Sequence, residues 1–459
     1  MRAPGMSPVV SLEAVVLPAA DPGRLARFYQ DGLGLRFFYL QHRNAWQCGL
    51  GETLVVIEPS GGPGASAPSR PGGACCILRV ADLAACLDRL RALGVEPVAP
   101  PDDRDDWITA SIHDPEGNTV RLTQYRPVEA RYAERCLERR AERQRCADTI
   151  RRLDEQPIPD DRAEIRLFAM VRNETLRLPY FLEHYRALGV DRMFFLDNMS
   201  TDGTVDLLRA QERVHVYQTD AHLSREIGLR EALLWRYGLG HWCVLVDADE
   251  LLVYPHCESL GLARLCGVLA AGGHDALQSF LLDLYPRGPL QATGYVPGMD
   301  PRRVVRWFDA DSHFVDAWEA HLYFNHRSPA HTFLGGVRHR VLDVNPCLAK
   351  FPLVRFHDRM LLHLGLHEIE GARVSCIRGA SLHCKFLQDF AEKAVTEAAR
   401  EQHWNAAYEY KRYAARVREN PELSLWTPGS IELGDSAQLV RLGFMASSPE
   451  LDAAAGRSL

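Results

Sequence analysis

Residues 164–198, "EIRLFAMVRNETLRLPYFLEHYRALGVDRMFFLDN", carry the alternation on which the fold turns. The apolar run "EIRLFAMV" reads as a buried strand. "RLPYFLEHYRALG" has apolar residues at helical spacing and a stop at Gly189, and "DRMFFLDN" is a second apolar run. Strands that alternate with amphipathic helices are the pattern of a parallel sheet. "STDGTVDLLRAQ" continues as a helix with Ser200 or Thr201 as its N-cap. "VHVYQTD" and "HWCVLVDADELLVYP" add further strands. In open parallel sheets ligands bind beyond the carboxyl ends of the strands. Three polar groups fall at such ends: Arg172, Asn173 and Glu174; Asp197 and Asn198; and Asp247, Asp249 and Glu250. Acids that close an apolar strand must be exposed, paired or bound to a cation.

The whole chain has 459 residues, room for two or three domains with separate cores. Its 46% hydrophobic and 25% charged content is that of globular protein, and its net charge of −7 argues against a general nucleic-acid binder. The twelve cysteines form no CxxC pair, which removes zinc-ribbon and thioredoxin readings and fits free thiols in a reducing compartment. The first residues lack a signal-peptide pattern, and no apolar run approaches about 18–20 residues, so a cytoplasmic protein without a transmembrane segment is expected.

Toward the N-terminus, residues 11–127 repeat a strand–helix–strands pattern. "LEAVVLPAAD", "PGRLARFYQDGLG" and "TLVVIEP" form one half. "ACCILRV", "DLAACLDRLRALG" and the hairpin "WITASIHDPEGNTVRLTQ" form the other, and "SGGPGASAPSRPGG" connects the two. Residues 128–160 alternate Glu and Arg at helical spacing, the mark of a solvated linker helix, with a short dimerising helix as the other reading. Beyond residue 385 the chain is helical and charged, and the tail after 440 reads as irregular.

The blocks "AMVRNETLRLPYFLEHYRALGVDRMFFLDNMSTDGT" and "DADELL", followed by "GGVRHR", "KFPLVRF" and "GASLHCKFL", resemble the family-2-type glycosyltransferases of A-type fold. The resemblance covers residues 163–390 and leaves 391–459 as a helical extension and tail. It implies an α/β, Rossmann-like nucleotide-diphospho-sugar transferase domain that moves a sugar, hexosyl or related, from a nucleoside-diphosphate donor, UDP-linked by family likeness, to an acceptor the sequence does not identify. Arg172, Asn173, Glu174, Asp197 and Asn198 would line the nucleotide pocket, with Arg338 and Lys385 toward phosphate. Asp247 would meet ribose or metal, and Asp249 and His383 would complete the shell of a divalent cation, Mn²⁺ or Mg²⁺. A hard divalent cation takes oxygen ligands and bridges donor phosphates.

An Asp-x-Asp pair alone is a weak signal, because Asp103/Asp105 and Asp309/Asp311 repeat it. Position favours Asp247/Asp249, which follow the "DNMSTDGT" strand and helix. His363 and His367 have i, i+4 spacing without the Glu of a zincin, and read as structural or substrate-contacting. A base for the acceptor hydroxyl would come from Asp283, Asp316 or Glu319, and Trp318 lies beside the latter two.

The N-terminal stretches "DPGRLARFYQDGLGL" and "HDPEGNTVRLTQ" resemble the glyoxalase-like, vicinal-oxygen-chelate family, an α+β fold with a duplicated βαβββ unit. The metal-ligand positions this implies fall near Ala14, near Cys75 and on Arg121, where a cation would repel a metal. A cupped binding or docking module is therefore favoured over glyoxalase or dioxygenase chemistry there. A non-catalytic carbohydrate or nucleotide-sugar sensor is the third reading. A homo-oligomer would form through the linker helix or this domain.

Overall fold

The computed structural model describes residues 14–35, 37–40, 45–50, 53–59, 75–80, 82–103, 107–125, 128–315 and 333–456. The chain divides into two compact units, one of the described residues up to Glu134 and one from Arg135 onward.

In the smaller unit, β1 (Ala14–Ala19), α1 (Pro22–Leu33), β2 (Phe38–Leu40), β3 (Ala45–Leu50) and β4 (Thr53–Pro59) make a sheet ordered β1-β4-β3-β2. The order recurs with β5 (Cys75–Arg79), α2 (Leu83–Ala92), β6 (Asp102–Asp103), β7 (Trp107–His113) and β8 (Thr119–Tyr125), ordered β5-β8-β7-β6. Asp21 caps α1 by accepting from the Arg24 amide at 2.9 Å, and Pro22 occupies the first turn, where its missing N–H costs nothing. A β-carbon on Gly32 would stand 2.7 Å from Leu90 Cδ2, so glycine sets how closely α1 and α2 approach. Leu25, Ala26 and Tyr29 of α1 share one core with Leu87 and Leu90 of α2 and Ile112, Val120 and Leu122 of the second sheet. The β7–β8 turn is tied by Asp114, which accepts from the Glu116 and Asn118 amides and from the Tyr29 hydroxyl.

The larger unit begins within α3 (Val128–Ala147) and continues through β9 (Arg151–Arg152), β10 (Arg166–Val171), α4 (Leu178–Leu188), β11 (Arg192–Asp197), α5 (Thr204–Arg209), β12 (Val214–Gln218), α6 (Glu226–Tyr237), β13 (Trp242–Leu245), β14 (Glu250–Val253), α7 (Leu262–Ala271) and β15 (Ala276–Asp283). There follow β16 (Trp307–Phe308), β17 (His313–Val315), β18 (Phe333–Gly335), α8 (Gly336–Leu342), β19 (Ala349–Arg355), β20 (Leu361–His363), β21 (Glu368–Glu370), β22 (Val374–His383), α9 (Phe390–Arg400) and α10 (Trp404–Glu419).

Nine strands form one mixed sheet, ordered β14-β22-β15-β19-β13-β10-β11-β12-β9. Its segment β13-β10-β11-β12 is parallel throughout. The chain moves from β10 to β11 and β12, then returns to the other side of β10 as β13. The carboxyl ends of β10 and β13 therefore flank a topological switch point, where open α/β sheets bind ligands. Leu167, Ala169 and Val171 join the core on one face with Phe181 and Tyr185 of α4, whereas Phe168 joins the other with Leu229 and Leu233 of α6. Period-2 alternation between two covered faces explains why these strands read as unbroken apolar runs.

Four expectations from sequence need correction. Residues 128–160 are not a detached, solvated linker: from Arg135 they belong to the larger unit. Arg135 pairs with Glu370, Arg139 donates to the Leu362 carbonyl at 2.8 Å, Arg143 stacks 3.6 Å from the centroid of the Trp235 ring, and Cys146 is fully buried. These partners lie far along the chain, where local pattern does not reach. Second, "HWCVLVDADELLVYP" is two strands, because Asp247 O accepts from the Glu250 amide at 3.0 Å in a turn and β14 leaves to pair with β22. Third, the cap of α5 is neither Ser200 nor Thr201. Asp202 Oδ1 accepts from the Thr204 amide at 3.0 Å, while Ser200 Oγ accepts from the Asn173 amide. Fourth, the tail is ordered: Ser448 caps a helix over Pro449–Ala454 whose Leu451 is fully buried in the main core.

Candidate functional site

Sheet register brings three ionisable side chains into one row. Asp283 at the end of β15 faces His383 at the end of β22, and Glu250 at the start of β14 faces the same histidine from the other side. The Cys384 amide donates to the Asp249 carbonyl at 2.7 Å and fixes the Asp-x-Asp turn against β22. His383 Nδ1 lies 2.6 Å from Asp283 Oδ1, and its Nε2 lies 3.2 Å from Asp249 Oδ2. Arg338 Nε donates to the second oxygen of Asp283 at 2.8 Å. Burial disfavours charge on all of these groups, yet the ion pairs win. His383 is held above its usual pKa by Asp249 and Asp283. Asp249 is held well below the carboxylate range by His383, Lys385 and Arg177, and Asp283 is held below it by Arg338 and His383.

As an imidazolium, His383 donates to both carboxylates. Without its Nε2 proton, Nε2 and Asp249 Oδ2 become two adjacent electron-pair donors, oriented by the Nδ1–H bond to Asp283. A carboxylate behind a ligating histidine is the arrangement that fixes tautomer and ring in metal sites. The donor chemistry of Asp249 and His383 thus fits a divalent cation.

Asp247 does not fit the third place. Its oxygens are taken by Arg230 of α6 at 2.5 Å and Lys350 of β19 at 2.9 Å. Lys350 is 3% exposed and pairs also with Glu250, at 2.9 Å, and with the Gly365 carbonyl, at 3.2 Å. Burial opposes the Asp247 carboxylate, but Lys350 and Arg230 hold its pKa below the usual range. Burial pushes Glu250 up, with Lys350 restraining the shift. Among the described residues no three His, Cys, Asp or Glu side chains converge as a metal site, and Asp247, expected beside Asp249 and His383, is held by Arg230 and Lys350 instead.

The expected nucleotide-pocket residues do gather on neighbouring strand ends, many of them already engaged. Asp197 is fully buried and accepts from the Ser200 amide and from Gln218 Nε2. Asn173 adopts φ 52° and its Oδ1 accepts from the Thr201 amide at 2.8 Å. Both tie the loop together. Glu174 meets Lys393 of α9, and Arg177 grips Asp389 with two bonds, at 2.6 and 2.8 Å. Arg172 donates to the Asn198 and Met199 carbonyls, and Arg400 of α9 donates to Asn198 Oδ1 at 3.0 Å. Lys385 Nζ donates to the Tyr410 hydroxyl at 3.2 Å and lies 4.9 Å from the centroid of that ring.

Arg338, expected at phosphate, turns inward to Asp283 and is buried. Asp283, expected among the bases, is 5% exposed with both oxygens bonded; it positions His383 and is not free to take a substrate proton. Asp316, Trp318 and Glu319 lie outside the described residues, as do Asp105 and the glycine-rich connection. Asp309 of the competing Asp-x-Asp pair accepts from Tyr285 and from Arg340 in a structural cluster. His363 pairs with Glu370, and His367 Nδ1 bonds the Ala349 carbonyl at 2.7 Å. Sequence reading missed Arg177, Arg230, Lys350, Lys393 and Arg400. Of these, Arg177 opens "RLPYFLEHYRALG" and Lys350 opens "KFPLVRF", and nothing in either stretch marked the one as a partner of Asp389 or the other as a partner of Asp247.

In the smaller unit Arg121 is exposed on β8, and the side chains of Ala14 and Cys75 lie outside the described set. A family model described as a glyoxalase-like domain matches residues 14–123. Similar solved structures cover the same part. An integron cassette protein from the mobile metagenome of V. cholerae is 19% identical over 26% of this chain and 99% of its own, with TM-score 0.24. An antibiotic-binding protein, TnmS3 from Streptomyces sp. CB03234, is 22% identical over 26% and 100%, with TM-score 0.23. A lactoylglutathione lyase from Agrobacterium tumefaciens is 20% identical over 26% and 95%, with TM-score 0.22. No curated protein matches the chain. The N-terminal unit is a glyoxalase-like domain, and among the described residues no helix is long and apolar enough to cross a membrane.

Proposed function

We propose that the larger unit transfers a glycosyl group from a nucleoside-diphosphate sugar, with Asp249 and His383 as the ligands of a divalent cation. The observation that carries this reading is the convergence of Asp249, His383 and Asp283 at one edge of a sheet whose switch point is lined by Arg172 and Asp247. When bound, such a cation neutralises charge gathering on a departing diphosphate. The chain's own groups divide the remaining work. Asp283 and Arg338 hold the imidazole ring; Lys350 and Arg230 neutralise Asp247 and stiffen the turn that presents Asp249; Lys385 adds positive charge next to Asp249.

The test is thermal shift and calorimetry with UDP, GDP and their hexose conjugates, with and without Mn²⁺. The wild type should show a Mn²⁺-dependent nucleotide shift that Asp249→Asn abolishes and Asp247→Asn only weakens. A Mn²⁺-dependent shift surviving in Asp249→Asn refutes the assignment.

The family-model match supports a second reading, ligand binding or metal chemistry in the glyoxalase-like domain. Arg121 at the implied last ligand position favours binding without a metal. Retention of metal-dependent lyase activity in Asp249→Asn would favour the metalloenzyme form instead.

A further inference from the structure

Asn198 is approached by two guanidinium groups. Arg172, just past β10, donates to its carbonyl, and Arg400, the last residue of α9, donates to its side-chain oxygen at 3.0 Å. Like charges this close repel, and the Arg172 guanidinium is destabilised first by burial and then by Arg400. Arg172 spends its Nη1 on two backbone carbonyls, and its Nε is buried without a hydrogen-bond partner. No described carboxylate forms a salt bridge with it. Arg400 is matched by Glu397 at 2.8 Å, and Glu397 is shared with His403 at 3.0 Å. Asp197, the other nearby acid, is fully buried and bonded to the Ser200 amide and Gln218. Among the described residues Arg172 therefore has no directly bonded carboxylate, only the longer-range attraction of Glu397 and Asp197, and it sits beside the switch point.

We infer that Arg172 and Arg400 form an anion site that takes a phosphate group. Arg172 contributes from the sheet, and Arg400 contributes from a helix beyond the residues whose motifs suggested a nucleotide pocket. Planar guanidiniums offer paired N–H donors in the geometry of phosphate oxygens. An anion between them removes the repulsion and gives the Arg172 Nε its missing acceptor. Read together with the proposed transferase activity, on which this part rests, the phosphate belongs to the donor nucleotide, and α9 is a wall of its pocket. His403 extends that wall, its ring 4.5 Å from Tyr410.

The experiment is calorimetric titration of the full chain with inorganic pyrophosphate, UDP and uridine, for wild type, Arg400→Gln and Arg172→Gln, with ligand-free melting curves for each. Loss of a charge-assisted bond should weaken pyrophosphate and UDP by about tenfold or more and leave uridine within about twofold. Arg400 is 16% exposed and bonds both Glu397 and Asn198, so ligand-free melting of Arg400→Gln should fall below wild type, and affinities are compared at a temperature where each variant is folded. Arg400→Lys keeps the charge but not the fork, and should recover only part of the affinity. Wild type that binds pyrophosphate but no nucleotide, with both glutamine variants impaired, supports the anion site and overturns the nucleotide reading. Pyrophosphate affinity unchanged in both glutamine variants, or absent from wild type, overturns the site.

Discussion

Replacing Lys350 by methionine removes one cation from three partners. Its ammonium bonds Asp247 and Glu250, each at 2.9 Å, and the Gly365 carbonyl at 3.2 Å. Methionine fills similar volume, so the change is electrostatic rather than a cavity. Asp247 keeps Arg230, but Glu250 is 1% exposed and is left with no cation at bonding distance among the described residues. Breaking a buried pair by deleting one partner costs about 3–5 kcal/mol, most of it the unpaired charge. Urea unfolding at neutral pH should show a loss of that size. Adding Glu250→Gln removes the stranded charge, and the double variant should regain about 1–2 kcal/mol. Burial already raises the Glu250 pKa in the wild type, and without Lys350 it rises further. A carboxyl whose folded pKa lies above its unfolded value contributes stability at low pH that is lost as pH rises through the folded pKa. The deficit of Lys350→Met should therefore shrink as pH falls from neutrality toward 4.5, the ordinary glutamate value. A deficit below about 1 kcal/mol, one independent of pH, or a double variant no better than the single would refute the reasoning.

Asp283→Asn should weaken Mn²⁺ binding about 10–100-fold, as loss of a partner behind a ligand does, with the affinity read by calorimetry. Burial lowers the His184 pKa to about 4, while its Nε2 bonds the Leu252 carbonyl at 3.1 Å. A histidine depressed in this way destabilises the fold as pH falls from its unfolded value through 4, by roughly 2–3 kcal/mol, and His184→Gln should flatten that part of the stability–pH curve. Tyr29→Phe deletes the hydroxyl that donates to Asp114 Oδ2 at 3.0 Å and should destabilise the glyoxalase-like domain by about 1–2 kcal/mol in denaturant unfolding.

Chain pattern alone determined much here. Alternating apolar runs and amphipathic helices in residues 164–218 dictated parallel strands, because a strand buried on both faces leaves an unbroken apolar signature. The repeated strand–helix–strands order of the first unit was legible for a similar reason, with Asp21 and Gly34 marking the ends of its helix. That Asp197, Asp247 and Asp249 lie at one edge also followed, since strand ends of a parallel sheet share a side. What each acid does there was decided by tertiary structure. Asp247 and Asp249 are two residues apart, yet one is neutralised by Arg230 and Lys350 and the other faces His383. Those partners arrive from α6, β19 and β22, elements separated by long stretches of chain and brought together only by sheet order. The same holds for Arg338, turned inward to Asp283, and for Arg400, set beside Arg172 by the path of α9. Periodicity reports which face of an element is buried. Which charge sits opposite which is fixed by long-range packing, and pattern along a strand or helix does not carry it.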